Sequence, residues 1–148
     1  MKISNIQTHL VSPVSHRAGM IGGKNWLFVK LETDEGIVGW GEAYTQLDRD
    51  RNIVQHVTDL SRYLVGRDPF QIKKFTTMVY EDFAGKRGSM DLFCAVSAIE
   101  QAMWDVVGKK LGVPIYDLLG GRVAIVSASM PTAGMVGPKP PTNTPRWR

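Results

Sequence analysis

A chain of 148 residues is one domain's worth and long enough to bury a core, and its 43% hydrophobic and 22% charged content is ordinary for a globular protein. No apolar run approaches the ~18 residues of a membrane span, and the start Met-Lys-Ile-Ser-Asn-Ile lacks the apolar core of a secretion signal, so the cytoplasm is the expected compartment. The pI of 9.3 suggests a nucleic-acid partner. However, Lys139, Arg146 and Arg148 fall in residues 124–148 without any acid, leaving residues 1–123 with 15 basic and 14 acidic side chains and no electrostatic footprint for DNA or RNA.

Lys2 to Val11 alternates loosely as a strand, with Ile3, Ile6 and Leu10 among polar residues. Ser12 to Asn25 has three glycines and no periodicity, which reads as a mobile loop. Trp26 to Thr33 is a second strand, Leu27, Val29 and Leu31 pointing one way and Phe28, Lys30 and Glu32 the other. Asp34-Glu35-Gly36 turns the chain, and Ile37 to Ala43 returns as the hairpin partner. Glycine at 39 and 41 within that strand signals a bulge or a close backbone approach.

A second loop, Tyr44 to Arg51, precedes a helical pattern from about Asn52, with Ile53, Val57, Leu60 and Leu64 on one face and Gly66 at its end. Asp68 is placed to cap the next helix with Pro69 at its first position, and Ile72, Phe75, Val79 and Phe83 line its buried side. After the short Gly85 to Gly88 loop comes the most informative stretch, Ala95 to Arg122. Val96, Ile99, Met103 and Val106 recur at helical spacing, and Ala95, Ala98 and Ala102 leave room for close packing on an adjoining stripe. Gly112 ends that helix, Pro114 suits the first turn of a short fourth one, and Gly120-Gly121 stops it. The single cysteine, Cys94, lies among apolar helix positions and reads as a small buried hydrophobe. Three strands followed by three helices and a short fourth predict an α+β fold, an antiparallel meander with a helix bundle on one face.

Taken in order, Lys2-Ile3, Thr33-Asp34-Glu35-Gly36-Ile37-Val38-Gly39-Trp40-Gly41-Glu42, Gly66-Arg67-Asp68-Pro69, Arg87-Gly88 and Ala98-Ile99 through Trp104-Asp105 to Tyr116-Asp117-Leu118-Leu119-Gly120-Gly121 resemble one family. They look like the N-terminal capping domain of the mandelate racemase and muconate-lactonising branch of the enolase superfamily, over residues 1–123. Gly66 to Pro69 and Lys86-Arg87-Gly88 look most like acid-sugar dehydratases of the galactonate and mannonate type. The resemblance implies a TIM barrel beside this domain, three carboxylates there holding Mg²⁺, and a Lys or His base removing the proton α to a carboxylate. A barrel takes about 200 residues or more, so none is encoded here and no catalytic residue is expected.

The resemblance also implies that two loops close over the barrel mouth and touch the far end of a sugar-acid substrate. The matching segments are His16 to Asn25 and Tyr44 to Asp50; Gln46 falls where related dehydratases carry a polar side chain, and Tyr44, Arg17 and Lys24 are looser candidates. An amide that donates and accepts suits a polyol. Each also reads as an ordinary solvated loop residue. Glu42, Asp48 and Asp50 have no histidine nearby and read as a solvated rim rather than a metal site; His9, His16 and His56 read as ordinary surface or hydrogen-bonded histidines. The intact relative is expected to be a homo-oligomer.

Residues 124–148 hold five of the eight prolines and no period, and resemble no part of the family, so an irregular segment is expected. Codons permitted at every one of these residues can be chosen so that the frame two bases on reads as a strand, a glycine-rich loop and a helix start. A frameshift near codon 124 would account for the change. The expected whole is the capping domain of a Mg²⁺-dependent aldonate dehydratase. Its alternatives are the same domain of a racemase, epimerase or cycloisomerase, or a stand-alone binding module using the proline-rich segment.

Overall fold

In the computed structural model, the structure describes residues 1–12, 25–45 and 49–121. Three strands, β1 (Ile3–Val11), β2 (Trp26–Thr33) and β3 (Val38–Ala43), form an antiparallel sheet in the order β1-β2-β3. Four helices follow: α1 (Asp50–Leu64), α2 (Ile72–Asp82), α3 (Met90–Leu111) and α4 (Ile115–Leu118), with a 3₁₀ turn at Ala84–Lys86 before α3. The α+β meander-and-bundle plan expected from the pattern is the plan observed.

The alternation of β2 decides the layering. Leu27, Val29 and Leu31 are fully buried against the helices, while Trp26, Phe28, Lys30 and Glu32 lie on the other face. The irregular spacing of Ile3 and Ile6 has a physical cause: the β1–β2 register shifts between Ile3 and Asn5. This bulge brings Ile3 opposite Thr33 and Ile6 opposite Leu31, putting both on the helix side despite their odd spacing. The β2–β3 hairpin turns at Asp34–Gly36, where Gly36 takes φ 79°.

The core is one continuous cluster. Ile53, Val57, Leu60 and Leu64 of α1, Ile72, Phe75 and Val79 of α2, and Leu92, Val96, Ile99, Met103 and Val106 of α3 meet the inner sheet face. One expectation needs correcting. Asp68 does not cap α2: its Oδ1 accepts from Phe70 N–H at 3.0 Å and its carbonyl from Gln71 N–H at 3.1 Å, closing a separate turn before the helix begins at Ile72. Helix α3 behaves as expected, with Ser89 Oγ accepting from Leu92 N–H at 3.4 Å and Gly112 in the left-handed region at φ 69°.

Helix α3 crosses β3 at backbone contact. A Cβ added to Gly41 would lie 1.9 Å from the Ala98 carbonyl oxygen, and one on Gly39 would lie 2.2 Å from that of Ala102. Both obstacles are backbone atoms, so no rotamer change relieves them. The prediction is that Gly41→Ala lowers the unfolding free energy by about 3 kcal/mol, the upper range for overpacking. It is read as a lower urea midpoint at unchanged slope, and an effect within error would contradict the close packing.

Candidate functional site

Five chain segments meet at one end of the sheet: the end of β1, the start of β2 with Asn25, the end of β3 with Tyr44 and Thr45, the start of α1 with Arg49 and Asp50, and the start of α3. Asn25 ties three of them. Its carbonyl accepts from Thr45 Oγ1, and its amide nitrogen donates to Asp50 Oδ2. Thr45 and Asp50 are both buried, so these bonds satisfy polar groups that water barely reaches. Asp50 also sits in the first turn of α1, where the helix dipole favours a carboxylate.

A second tie joins α1 to α3. The Arg49 guanidinium forks onto the buried Asp91 carboxylate, Nε at 2.9 Å from Oδ1 and Nη2 at 3.1 Å from Oδ2. Cys94, one turn further along α3, has its thiol pushed upward by burial and then by the Asp91 charge, which makes it a poor nucleophile at neutral pH. Burial, followed by the nearby Lys86 charge, holds the His56 imidazole below its usual value, which favours the neutral ring.

Beside these ties lies an open cleft lined by Glu42, Tyr44, Met90, Phe93, Cys94 and Gln101. Its floor is the face where Gln101 Oε1 accepts from Glu42 N–H at 3.1 Å. Tyr44, Met90 and Phe93 present exposed apolar surface around it. The cleft has the character of a contact surface with a few polar groups. Among the described residues no group of three or more His, Cys, Asp or Glu is placed to hold a metal ion, and the Asp50 and Asp91 carboxylates are already engaged by Asn25 and Arg49. These residues do not fit a Mg²⁺ site.

Of the four expected substrate-contacting residues, Tyr44 lies at this cleft, whereas Arg17, Lys24 and Gln46 lie outside the described residues, as do Asp48 and His16. The reading of Asp50 as part of a solvated rim is corrected: it is buried and bonded to Asn25. Asn25, Thr45, Arg49 and Asp91 escaped sequence reasoning. Their partners lie from 20 to 42 residues away, and no local pattern announces such pairs.

Residues 1–120 match the family described as mandelate racemase / muconate lactonizing enzyme, N-terminal domain. The chain belongs to that family. It is 44% identical over 124 residues to a D-galactonate dehydratase of Pectobacterium atrosepticum and 43% identical over 124 to one of Xanthomonas campestris pv. campestris, covering 83% of this chain and 29% of each relative. The chain therefore spans under a third of the length of these relatives. Among solved structures it is similar to a mandelate racemase/muconate lactonizing enzyme from a Sulfitobacter species, with a TM-score of 0.71 and 33% identity over 84% of this chain and 31% of that one. It is also similar to the 3,6-anhydro-D-galactonate cycloisomerase of Zobellia galactanivorans, with a TM-score of 0.70 and 28% identity over 82% of this chain and 32% of that one. The α+β fold read from the motif order is thus also the fold of the matching third of these proteins.

The Asn25 tie makes a testable contribution to the family domain. Asn25→Ala keeps the carbonyl that Thr45 uses but strips the buried Asp50 of its donor, which should cost about 1–3 kcal/mol. Urea unfolding of the purified variant measures this, and an unchanged midpoint would show the contact to be dispensable.

Proposed function

We propose that this chain is the substrate-specificity cap of a Mg²⁺-dependent acid-sugar dehydratase of the galactonate type, acting in the cytoplasm on a small sugar acid. The observation that carries this reading is the 44% identity to a D-galactonate dehydratase over 124 residues. The geometry supports it: Asn25, the last residue of the first segment that matches the family's closing loops, and Tyr44 and Asp50, which bound the second, lie at the same end of the sheet. In this reading Gln46, Tyr44, Arg17 and Lys24 contact substrate hydroxyls or carboxylate. The metal ligands and the base belong to a barrel, where Mg²⁺ would stabilise the enediolate formed on loss of the α proton. The intact enzyme would be a homo-oligomer.

A second reading keeps the domain and changes the reaction. The likeness to a cycloisomerase of the same architecture favours it, because one cap serves several chemistries that begin with the same proton abstraction. We also propose that residues 1–123 are the cap and residues 124–148 are read out of frame, because the family resemblance stops there and codons permitted at these residues allow a strand, a glycine-rich loop and a helix start in the frame two bases on.

The purified chain should show no turnover of D-galactonate with Mg²⁺ above a mock preparation; turnover would overturn the cap reading. Residues 1–120 should, in contrast, replace the matching domain of a D-galactonate dehydratase and leave a working enzyme. In that chimera Gln46→Ala should raise KM more than it lowers kcat, since it removes a contact distant from the reacting carbon. A folded chimera active only on other acids, or on a cycloisomerase substrate, would move the assignment to the second reading. Sequencing the locus tests the frame: the frame two bases on should continue into a barrel carrying a carboxylate triad, and an early stop would end that idea.

A further inference from the structure

A cavity of about 100 Å³ opens where the end of α1, the turn after it and α2 meet over α3. The 15 residues of α1 put it roughly 20 Å from the Asp50 end of that helix. Its inside is apolar: Leu64 from α1, Phe75 and Met78 from α2, and Met103 from α3, all but Met78 buried. Exposed Arg67 and Lys74 stand at its mouth. Among the described residues neither is in an ion pair, whereas Arg49, Arg62, Lys109 and Lys110 each hold a carboxylate. The third charge at the mouth, Asp68, has its Oδ1 taken by Phe70 N–H at 3.0 Å and leaves the rim net positive. The mouth is also held in place. Ile3 N–H donates to the Arg67 carbonyl and Gly66 N–H to the Ile3 carbonyl, both at 2.8 Å, tying the turn to β1.

We propose that this cavity binds a free short branched-chain monocarboxylate, its hydrocarbon end inside and its carboxylate between Arg67 and Lys74. Three features fix that chemistry. The apolar walls offer buried hydroxyl groups no partner, which excludes a polyhydroxylated acid from the interior. The size limits the hydrocarbon: a cavity of about 150 Å³ takes the six carbons of benzene, so this one has room for about four. The two unpaired cations at the mouth ask for one anionic group, and a carboxylate there meets both without entering the apolar part. Met78 and Met103 suit such a guest, because an unbranched thioether side chain adjusts its rotamers to irregular apolar shapes. The turn that carries Arg67 is already bonded to β1, so binding orders little backbone.

Titrating 3-methylbutanoate into the full chain, with the methionine methyl groups followed by NMR, tests this. The Met78 and Met103 resonances should shift saturably, and 3-methylbutanamide, of the same shape without the charge, should bind at least about tenfold more weakly. The double variant Arg67→Gln with Lys74→Gln changes two exposed side chains, so it should keep the fold by circular dichroism and weaken the acid at least about tenfold while leaving the amide unchanged. Met78→Phe, which fills the cavity and keeps the charges, should abolish the shift of Met103; the glutamine variant carries the test if this one fails to fold. Acetate should fail to saturate either resonance. No saturable shift with 3-methylbutanoate overturns the proposal, as does equal affinity for acid and amide or an acid affinity that the glutamine variant leaves unchanged. Met78 and Met103 shifts that follow protein concentration without ligand would give the cavity to a second copy and overturn it too.

Discussion

The contact of the α3 backbone with Gly39 and Gly41 is the constraint from which the rest of this domain follows. No side chain fits between the Ala98 and Ala102 carbonyls and the strand, so helix and strand meet at one depth and in one register. The alanines at 95, 98 and 102 are fully buried for the same reason: larger residues would lift the helix away. At that depth Gln101, Asp105 and Lys109, each four residues from the last, come level with the outward backbone groups of β3. Close packing and edge covering are one arrangement. A helix held an ångström or two further out would leave three strand groups without partners.

The same registration builds the end of the molecule that carries the cleft. Once α3 is seated, its first turns carry Met90, Asp91 and Cys94 to the end of β3, where Tyr44 emerges. Arg49 reaches back to Asp91, and Asn25 ties the start of β2 to both Thr45 and Asp50. Asn25, Thr45 and Arg49 are therefore held by the packed core.

Much of this was legible in the chain. The alternation of β2, the hairpin at Gly36, the three amphipathic helices and the stop at Gly112 are local patterns, and local physics decides them. The paired glycines of β3 and the alanine stripe of α3 each signalled close approach, though nothing local said that they meet one another. What stayed hidden depends on distant partners. Ile3 and Ile6 share a face only because a bulge intervenes, and Asp68 looked like a helix cap because capping and turn-forming aspartates share one preference. Asp50 looked solvated because a carboxylate in a polar loop normally is; its burial follows from Asn25, 25 residues earlier. Gln101, Asp105 and Lys109 bond the backbone of a strand 59 to 71 residues earlier, which no local pattern announces. Of the candidate substrate residues Tyr44 is seen at the cleft, and Arg17, Lys24 and Gln46 lie outside the described residues.

Native-state hydrogen exchange on the dilute chain tests the central packing claim most directly, because Trp40 and Glu42 sit on an outer strand edge where amides ordinarily exchange fast. If α3 covers that edge from a fixed register, these two amides should exchange as slowly as the Gly39 and Gly41 amides inside the β2–β3 ladder, opening only with the domain as a whole. Trp40 and Glu42 exchanging at nearly unprotected rates while the ladder stays protected would mean that α3 is not seated on β3 as described.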